Sequence, residues 1–584
     1  MEITVLEQIP KDPEIVAAWN NLVFRMERPE VFFTHQWALA ASRAFCDSLC
    51  PLTLLVYESG RLDGVAAMAT NRESRDRAFF LSESTADYCD IVSEPEIRPA
   101  VLAAVLAEMQ NRRVRDIVLA NVPSESHTLR TIKEVADSHG FHLHERPAYD
   151  CRVISLRDED QRHAVLQSVL RKEREKRGLN KLRQLGSIHI THLSKGQLEI
   201  ALHSIFSAQI SRFFATGRFS PLIREPRRCF LIELGRLLGS TGWLKVSQIE
   251  VNGRPVAWNY GFRFGDSWFW YLPTFDMQWE EWSPGTCLLR LLTEEACADS
   301  SVRRLDLGLG DEAYKDRFAN SISSTRYLQL SGSIPGHLST TVRHGLAAAA
   351  RRFSFVDKRL RGGKDFFLGV KSRIDRRGVA ATVKHALIRA KRSVASMDEI
   401  AFFKASEMQV SESESTALHS LGWQDIAIAA MNNADDNETL QYLVRCAKRL
   451  RQGRAAGYFL QNESTQGPAH LVWVDSYDGF HLSEINSSLE SIDSDAAIIF
   501  DCWTPVAQRG HGNYTRAIQW TAARLQRQQK QVWIFSAVEN ESSVRAILKA
   551  GFVYNFSMVR RRTLWRTTVS RSEVTGRQTV SLAN

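Results

Sequence analysis

A glycine-containing loop between an apolar strand and a helix constrains this chain more than any other feature. Residues 496–503 are almost entirely apolar and predict a buried strand, and residues 512–527 predict a helix. The run Arg509-Gly510-His511-Gly512 joins them. Glycines let backbone amides approach a ligand closely, and the first turn of a helix presents unpaired N–H groups. The segment therefore predicts a pyrophosphate-binding loop that needs no lysine.

A second motif lies downstream of this loop. Residues 540–552 begin with Asn540, continue as a predicted helix and end in Gly551-Phe552. Together the two segments resemble the acyl-CoA-binding motifs of the GNAT superfamily of acyltransferases, over residues 401–565. The resemblance implies acetyl-CoA or another acyl-CoA as co-substrate. The ligand-binding residues that it implies are Arg509, Gly510, His511, Gly512, Asn513 and Asn540.

Two residues depart from the family pattern. Tyr514 stands where a small residue is usual, and we expect it to crowd the loop. Ile547 stands where many relatives have a tyrosine that protonates the leaving thiolate, so the domain uses another acid or has weakened chemistry. Glu484 and Tyr554 are the candidate catalytic residues here, with Asp501 as a third. Each is equally compatible with a solvent-facing position, and a useful general base needs its pKa raised by burial.

The first 330 residues carry a second set of motifs. They resemble the acetyltransferases associated with bacterial cellulose and exopolysaccharide synthesis, the CelD/BcsL type. That family is built from GNAT folds and is related to Fem-type aminoacyl ligases. The segments that carry the resemblance are Phe32-Phe33-Thr34-His35-Gln36-Trp37, the hairpin at 60–69, Asp87-Tyr88-Cys89-Asp90, the basic helix 171–183, Ser283-Pro284-Gly285, and the run from Asp306 to Lys315.

Two of these motifs predict ligand contacts. The helix start at Ser283 and Gly285 is suited to hold a phosphate or a thioester carbonyl. Asp311 and Lys315 follow a predicted strand, where a polar pair can orient an amine or hydroxyl nucleophile. The alternative is that Asp311 caps the next helix and Lys315 is a surface charge.

The length of 584 residues is too great for one hydrophobic core. We predict a mixed α/β protein of tandem GNAT-like folds, each with a mostly antiparallel central sheet flanked by helices. The predicted parts are an N-terminal GNAT-like domain (1–156), a second GNAT-like domain (157–332), a basic helical connector (333–400), a C-terminal GNAT domain (401–568) and a disordered tail (569–584).

The net charge of +9 belongs to the connector. Residues 336–396 contain 15 Lys and Arg against three Asp, a net +12, so the rest of the chain carries −3. The net charge therefore says little about what the folded domains bind. The connector itself suits peripheral contact with an anionic membrane or nucleic acid, or it is a solvated pair of surface helices.

Other features narrow the class of protein. No apolar run reaches the length of a membrane-spanning helix, and the N-terminus lacks the pattern of a secretory signal. The nine cysteines have no zinc-site spacing, which favours reduced thiols and no metal. We therefore expect a cytoplasmic enzyme.

The predicted reaction is acyl transfer from acyl-CoA to an amine or hydroxyl of a small molecule or saccharide. No covalent enzyme intermediate is required. Two alternatives stay open: a Fem-like ligase that uses aminoacyl-tRNA, and a non-catalytic binding module of degenerate GNAT folds.

Overall fold

The computed structural model describes residues 1–168, 173–310, 312–342, 396–408, 417–462, 467–490, 495–562 and 567–573. It divides into two compact units. Unit 1 comprises Met1–Arg212 and Arg224–Arg352, and unit 2 comprises Phe213–Ile223 and Phe353–Asn584. Most of the predicted basic connector, residues 343–395, lies outside the described residues. No helix in the described part of the chain is both long enough and apolar enough to span a membrane.

Unit 1 is built on one large sheet. Its described helices, with α7 running on past residue 212, are α1 (Pro13–Phe24), α2 (His35–Ala44), α3 (Arg98–Asn111), α4 (His127–Ser138), α5 (Glu159–Ser168), α6 (Glu173–Leu185), α7 (Lys195–Ala215), α8 (Glu225–Leu238) and α9 (Pro284–Ala298). Its strands are β1 (Glu2–Leu6), β2 (Leu49–Glu58), β3 (Arg61–Asn71), β4 (Arg77–Phe80), β5 (Val92–Ser93), β6 (Asp116–Pro123), β7 (His142–Ser155), β8 (Ile188–His192), β9 (Leu244–Val251), β10 (Arg254–Phe264), β11 (Ser267–Phe275), β12 (Arg304–Leu309) and β13 (Ser321–Ser331).

The sheet of unit 1 contains two similar halves that share strands. Its order is β1-β2-β3-β4-β6-β13-β7-β12-β11-β10-β9-β8, with β5 paired to β3. Each half has one parallel pair joined through a helix, β4 with β6 through α3 and β11 with β12 through α9. The last strands are exchanged, because β7 of the first half pairs with β12 and β13 of the second half lies between β6 and β7. The sheet thus runs across the predicted boundary at residue 156.

Helix α9 shows how local sequence and packing agree. Ser283 precedes it with a left-handed φ of 51°, and Pro284 takes the first helical position, where its fixed φ is favourable. Leu288, Leu289 and Leu292 are fully buried in a core that also contains Trp268 and Trp270 of β11. One face of the helix therefore covers the parallel pair, and its N-terminus stays at the surface.

Unit 2 has a sheet of its own. Its described elements are β14 (Ser396–Ala405), β15 (Leu418–Ser420), α10 (Trp423–Asn432), α11 (Asn437–Gln452), β16 (Ala456–Gln461), β17 (Pro468–Ser476), β18 (His481–Leu482), β19 (Ser487–Ser488), β20 (Ala496–Trp503), α12 (Asn513–Gln526), β21 (Gln531–Ala537), α13 (Glu541–Lys549), β22 (Phe552–Arg562) and β23 (Thr567–Glu573). The sheet order is β15-β16-β17-β20-β21-β14-β22-β23, and β20 and β21 are parallel.

These two sheets confirm the predicted fold class. Both are mixed sheets in which, among the described strand pairs, all but β4/β6, β11/β12 and β20/β21 are antiparallel. The predicted disordered tail needs one correction, because residues 569–573 belong to β23, which pairs with β22. The polar sequence of this segment does not predict a strand, although Thr567, Thr568 and Val569 are β-branched and suit a sheet edge.

Candidate functional site

In unit 2 the parallel strands β20 and β21 separate part-way along their length. Their pairing ends at Ile499 and Ile534, although both strands continue. We call such a point a splay. Asp501, just beyond the splay on β20, has a left-handed φ of 43°, which is unusual for a residue other than glycine. The register with β17 shifts at the same place, as a β-bulge requires.

Two cavities meet at the β20/β21 splay. The first, which we call the loop cavity, has a volume of about 680 Å³, and the second, the arginine cavity, about 800 Å³. Both are lined by Glu484, Phe500, Asp501 and Phe535. A molecule in one cavity can therefore reach a molecule in the other through the gap between the strands.

The loop cavity contains the predicted pyrophosphate loop. Gly510 and Gly512 have φ values of 85° and 71°, a conformation that favours glycine, and no atom lies within 4 Å of where a Cβ would stand on either. Gly512 precedes α12, whose first N–H groups have no partner within the helix. Asn540 caps α13 by accepting a hydrogen bond from the Ser543 N–H, and both residues line the cavity. The loop therefore presents open backbone donors to the cavity.

The remaining predicted ligand residues support the loop itself. Arg509 donates from Nε to the Thr504 carbonyl at 3.2 Å and lies over the Trp503 ring. Asn513 is buried and donates to the Gln508 carbonyl at 3.2 Å. His511 is exposed. Arg509 and Asn513 therefore line the loop cavity and also stabilise the conformation of the loop through their hydrogen bonds to its carbonyls.

Tyr514 does not stand over the glycine loop as expected. Its ring stacks on His470 at 5.4 Å, and its hydroxyl is hydrogen-bonded to Ser543 Oγ at 2.8 Å. Tyr514 thus links α12 to α13 on the wall of the loop cavity. Burial raises its pKa above the usual range and lowers the pKa of His470 to about 3, so both side chains are neutral near pH 7.

The arginine cavity carries charges of both signs. Arg449 forms an ion pair with Asp501 at 2.5 Å and lies over the rings of Trp473 and Phe500. Glu484 is exposed where the two cavities meet. The other charged lining residues are Arg445, Arg454, Asp475 and Asp478. Such a wall suits a polar acceptor rather than an acyl chain.

The other predicted residues of unit 2 lie elsewhere. Tyr554 is 40% exposed on β22, bonds to Ser557, and is not among the described residues lining either cavity. Ile547, where relatives have a tyrosine, is fully buried in the core under α13. His470 and Arg449 could not be found from the sequence, since neither belongs to a motif and only folding brings them to the splay.

Unit 1 has an equivalent opening between β11 and β12. Their pairing ends at Phe269 and Asp306, and Gly308 follows with a left-handed φ of 70°. A Cβ on Gly308 would lie 2.6 Å from Oδ2 of Asp87. The Asp87 carboxylate, which comes from the first half of the unit, therefore occupies the β11/β12 splay of the second half, and only glycine leaves room for it.

The predicted residues around Lys315 lie beside this splay. Lys315 is 4% exposed, which excludes the alternative that it is a surface charge. It donates to the Leu309 carbonyl at 2.6 Å and pairs with Glu312 at 2.9 Å. Asp311 lies outside the described residues. Ser283 is exposed at the start of α9 and Gly285 is partly exposed, with Phe275 the nearest neighbour of a would-be Cβ at 3.4 Å.

A buried polar network holds the two halves together at this splay. Asp306 is fully buried and accepts hydrogen bonds from the Gly308 N–H at 2.9 Å and the Tyr88 hydroxyl at 2.9 Å. Arg28 lies 4.1 Å above the Tyr88 ring and bonds to Asp306 at 3.3 Å. Asp306 thus stabilises the turn at Gly308 and also fixes Tyr88, the residue that follows Asp87.

The third opening, between β4 and β6, is filled by residues of the same half of unit 1. Asn121 on β6 donates to the Ala86 carbonyl and accepts from the Cys89 N–H. At the start of α3, the fully buried Arg98 pairs with Asp90 and Glu27. The helix start that is open in α12 is thus blocked by side chains in α3.

Comparison with known proteins finds a family model that is similar to part of this chain. Residues 170–316 match the family model described as an acetyltransferase (GNAT) domain. The matched segment contains β11, α9, β12 and Lys315. At the coarse level, this supports acyltransferase chemistry in the second half of unit 1. Comparison with curated proteins found no significant match.

Among solved structures, the chain is similar to several at low identity. The FemX crystal structure aligns at 9% identity and a TM-score of 0.41, over 56% of this chain and 97% of that one. A tandem GNAT protein from the clavulanic acid biosynthesis pathway aligns at 11% and 0.36, over 57% and 99%. The C-terminal domain of a putative lysylphosphatidylglycerol synthetase from Agrobacterium fabrum aligns at 12% and 0.37, over 56% and 94%. These likenesses carry no argument about activity.

Proposed function

We propose that the protein is an acyl-CoA-dependent acyltransferase, and that unit 2 holds an acyl-CoA with its pyrophosphate at the loop of Gly510 and Gly512. The observation that carries the proposal is the meeting of two cavities at the β20/β21 splay. One cavity has an open glycine loop at a helix start, which suits two phosphates. The other is polar and suits an acceptor.

The reaction is direct transfer between two molecules bound on either side of the splay. The thioester lies at the gap, and the acceptor amine or hydroxyl approaches from the arginine cavity. Glu484 lines both cavities where they meet, so its position alone, and not burial, makes this exposed side chain the candidate group to take the acceptor proton. Asp501 is held by Arg449, so its role is to anchor that guanidinium at the gap.

The neutral hydroxyl of Tyr514 is the candidate acid for the leaving thiolate. It lines the loop cavity, and its partner Ser543 lies one helical turn before Ile547. The Tyr514 hydroxyl therefore lies near the part of α13 where relatives with a tyrosine at the position of Ile547 place their acid. Burial raises its pKa, so it holds its proton at neutral pH but is a weaker acid than an exposed tyrosine would be.

The acceptor is proposed to be an amine or hydroxyl of a small molecule or saccharide. A saccharide is supported by the resemblance of the first 330 residues to the CelD/BcsL type. A Fem-like ligase would instead need aminoacyl-tRNA and would be indifferent to acyl-CoA. A degenerate binding module would bind acyl-CoA without turning it over.

The test is binding of acetyl-CoA to the full chain, by calorimetry and by hydrogen exchange of the first turn of α12. We expect protection of residues 510–516 in the wild type. Gly510→Glu, which places a carboxylate against the phosphates, should remove that protection and weaken this site by ~100-fold, about 2.7 kcal/mol.

The matched control is Gly60→Glu. Gly60 belongs to unit 1 and has a φ of 80° with open space around it, so the substitution costs the same backbone strain without altering the loop. It should bind acetyl-CoA as the wild type does. Absence of protection in the wild type, or equal protection in Gly510→Glu, would contradict the proposed site.

A further inference from the structure

The arginine cavity of unit 2 contains guanidinium groups that have no ionic partner among the described residues. Arg445 on α11 and Arg454, just after that helix, line this cavity and not the loop cavity. Arg449, between them in sequence, is already paired with Asp501. In the described part of the chain, no carboxylate oxygen lies within 4.0 Å of Arg445 or Arg454. These two exposed groups are therefore available to an anion that enters from solvent.

The other carboxylates of this cavity are in the same situation. Asp475 at the end of β17, Asp478 in the following loop and Glu484 all line the cavity. Asp475 accepts from the Ser476 N–H, and Glu484 accepts from Ser483 Oγ. Within the described ranges, no cationic nitrogen lies within 4.0 Å of any of the three. Charges of both signs thus line one cavity of about 800 Å³ without neutralising each other.

Three phenylalanine rings form the apolar part of the same wall. The Phe480 ring lies 4.9 Å from Phe500, edge to face, and 6.0 Å from Phe535. All three line the cavity and are partly exposed. Because such rings present large apolar surfaces, they suit the C–H groups of a sugar ring or of a short methylene chain. The cavity therefore offers an apolar surface together with charged groups of both signs.

A small hairpin holds Glu484 where the two cavities meet. Strands β18 and β19 pair with each other and flank this residue. Leu482, Ile485 and Leu489 of the same segment are buried in a hydrophobic core, while Glu484 is exposed. Since the apolar side chains anchor the hairpin, the carboxylate is placed before a ligand arrives, which lowers the entropy cost of binding an ammonium group there.

We propose that the acceptor of this site is dipolar, an amine that also carries a carboxylate or phosphate group. The amine lies at Glu484, and the anionic group lies at Arg445 and Arg454. This inference rests on the proposed function, because it names the substrate class of the same site; the transfer step itself is unchanged. A guanidinium binds a carboxylate or phosphate through paired N–H donors. The charges that line the cavity nearly cancel, so a ligand with both charges fits better than a plain anion or a plain cation.

The first test compares amines that differ only in the anionic group, using the full chain and acetyl-CoA. One pair is glucosamine and its phosphate ester, and the other is ε-aminocaproamide and ε-aminocaproate. Release of CoA gives kcat/KM for each amine. We expect the anionic member of at least one pair to be used ~10-fold better, mainly through a lower KM, because each exposed guanidinium contributes modestly. The preferred pair shows whether the anion is a phosphate or a carboxylate.

The double variant Arg445→Gln/Arg454→Gln should reduce this preference to below ~2-fold and leave kcat for the neutral amines unchanged. The matched control is Lys448→Gln/Arg451→Gln. It removes two exposed positive charges from the same helix, and neither residue is among those that line the cavity. The control should keep the wild-type preference. Circular dichroism and the unfolding midpoint check that each variant is folded.

The second test measures binding by calorimetry without acetyl-CoA, so it does not depend on turnover. In the preferred series, the dipolar ligand should bind ~10-fold more tightly than the analogue that lacks the anion and the analogue that lacks the amine. The analogues without the amine are glucose phosphate and caproate. Equal binding of all members in both series would overturn the inference.

The two tests separate this inference from the proposed function. If the dipolar ligand binds more tightly but no amine releases CoA, the proposed function fails and the dipolar site stands. If all four amines are acetylated with equal kcat/KM, the proposed function stands and the dipolar acceptor is wrong. A preference that persists in Arg445→Gln/Arg454→Gln also overturns the assignment of the anionic group to these arginines.

Discussion

The β11/β12 splay of unit 1 and the β20/β21 splay of unit 2 have the same backbone plan and different electrostatics. In unit 2, Asp501 lies on the opening strand and is paired with Arg449 at 2.5 Å. In unit 1, Asp87 arrives from the other half, and its carboxylate lies against Gly308. The ion pair of Asp501 positions a guanidinium, whereas burial raises the pKa of the Asp87 carboxyl group to about 7. The same strand opening thus holds an ion pair in one unit and a carboxyl group with a raised pKa in the other.

The β4/β6 opening shows a third outcome. There the chain fills the gap with Asn121 and blocks the helix start with Arg98. The buried network around Arg98 joins the loop before α3 to the start of α4. This opening is therefore a structural joint, unlike the β20/β21 splay, where two cavities meet.

The largest expected effect tests that joint. Arg98→Met leaves Asp90 and Glu27 without their buried cation, which should cost ~3–5 kcal/mol of unfolding free energy. Native-state hydrogen exchange in α3 measures it. Arg516→Met, at the exposed first turn of α12, should cost below ~0.5 kcal/mol. Equal losses would contradict the distinction between a blocked and an open helix start.

The next effect separates Asp87 from Asp501. The folded pKa of Asp87, about 7, is above the unfolded value of about 3.8, so folding stability falls as pH rises between them. Asp87→Asn should therefore gain ~2–3 kcal/mol at pH 8 and almost nothing at pH 3.5. Asp501→Asn should instead lose ~1 kcal/mol, because it weakens the pair with Arg449. Urea unfolding at both pH values measures this, and a loss in both variants would break the comparison.

A smaller effect concerns the loop cavity. His470 is 1% exposed, and burial lowers its pKa to about 3. The unfolded chain binds a proton below its pKa of about 6.5 and the folded one does not, so stability is lost as pH falls from 6.5 towards 3. Between pH 7 and pH 5 the wild type should lose up to ~2 kcal/mol more than His470→Gln does. An equal loss in both proteins would mean that His470 titrates freely.

The smallest effect is at the bridge between α12 and α13. Tyr514→Phe removes the hydrogen bond to Ser543 and should cost ~1 kcal/mol. Ser543→Ala should cost a similar amount, and the double variant should cost little more than either. If the bridge is also the acid, Tyr514→Phe lowers turnover in unit 2 while Ser543→Ala largely preserves it. Additive losses in stability would show that the two side chains act independently.

Local signals predicted much of the fold and part of the candidate site. The apolar strand before Arg509, the glycines of the loop, the Asn540 cap and the proline at the start of α9 each act within a few residues of chain. For that reason the strand–loop–helix of unit 2 could be predicted from sequence. The strand β23 was missed because its polar residues lie at a sheet edge, where no apolar alternation is needed.

The amino-acid sequence by itself determined which segments become strands, loops and helix starts, because propensity, capping and glycine conformation are local. Only the tertiary structure decided what each splay contains. Asp87 contacts Gly308, and strands β7 and β13 are exchanged between the halves, although these partners are far apart in sequence. Lys315 bonds to the nearby Leu309, but its burial depends on the residues that the fold packs around it. Burial and unpaired charge depend on what the fold packs around a group. The raised pKa of Asp87 and the ion pair of Asp501 therefore follow from strand pairing and not from any motif.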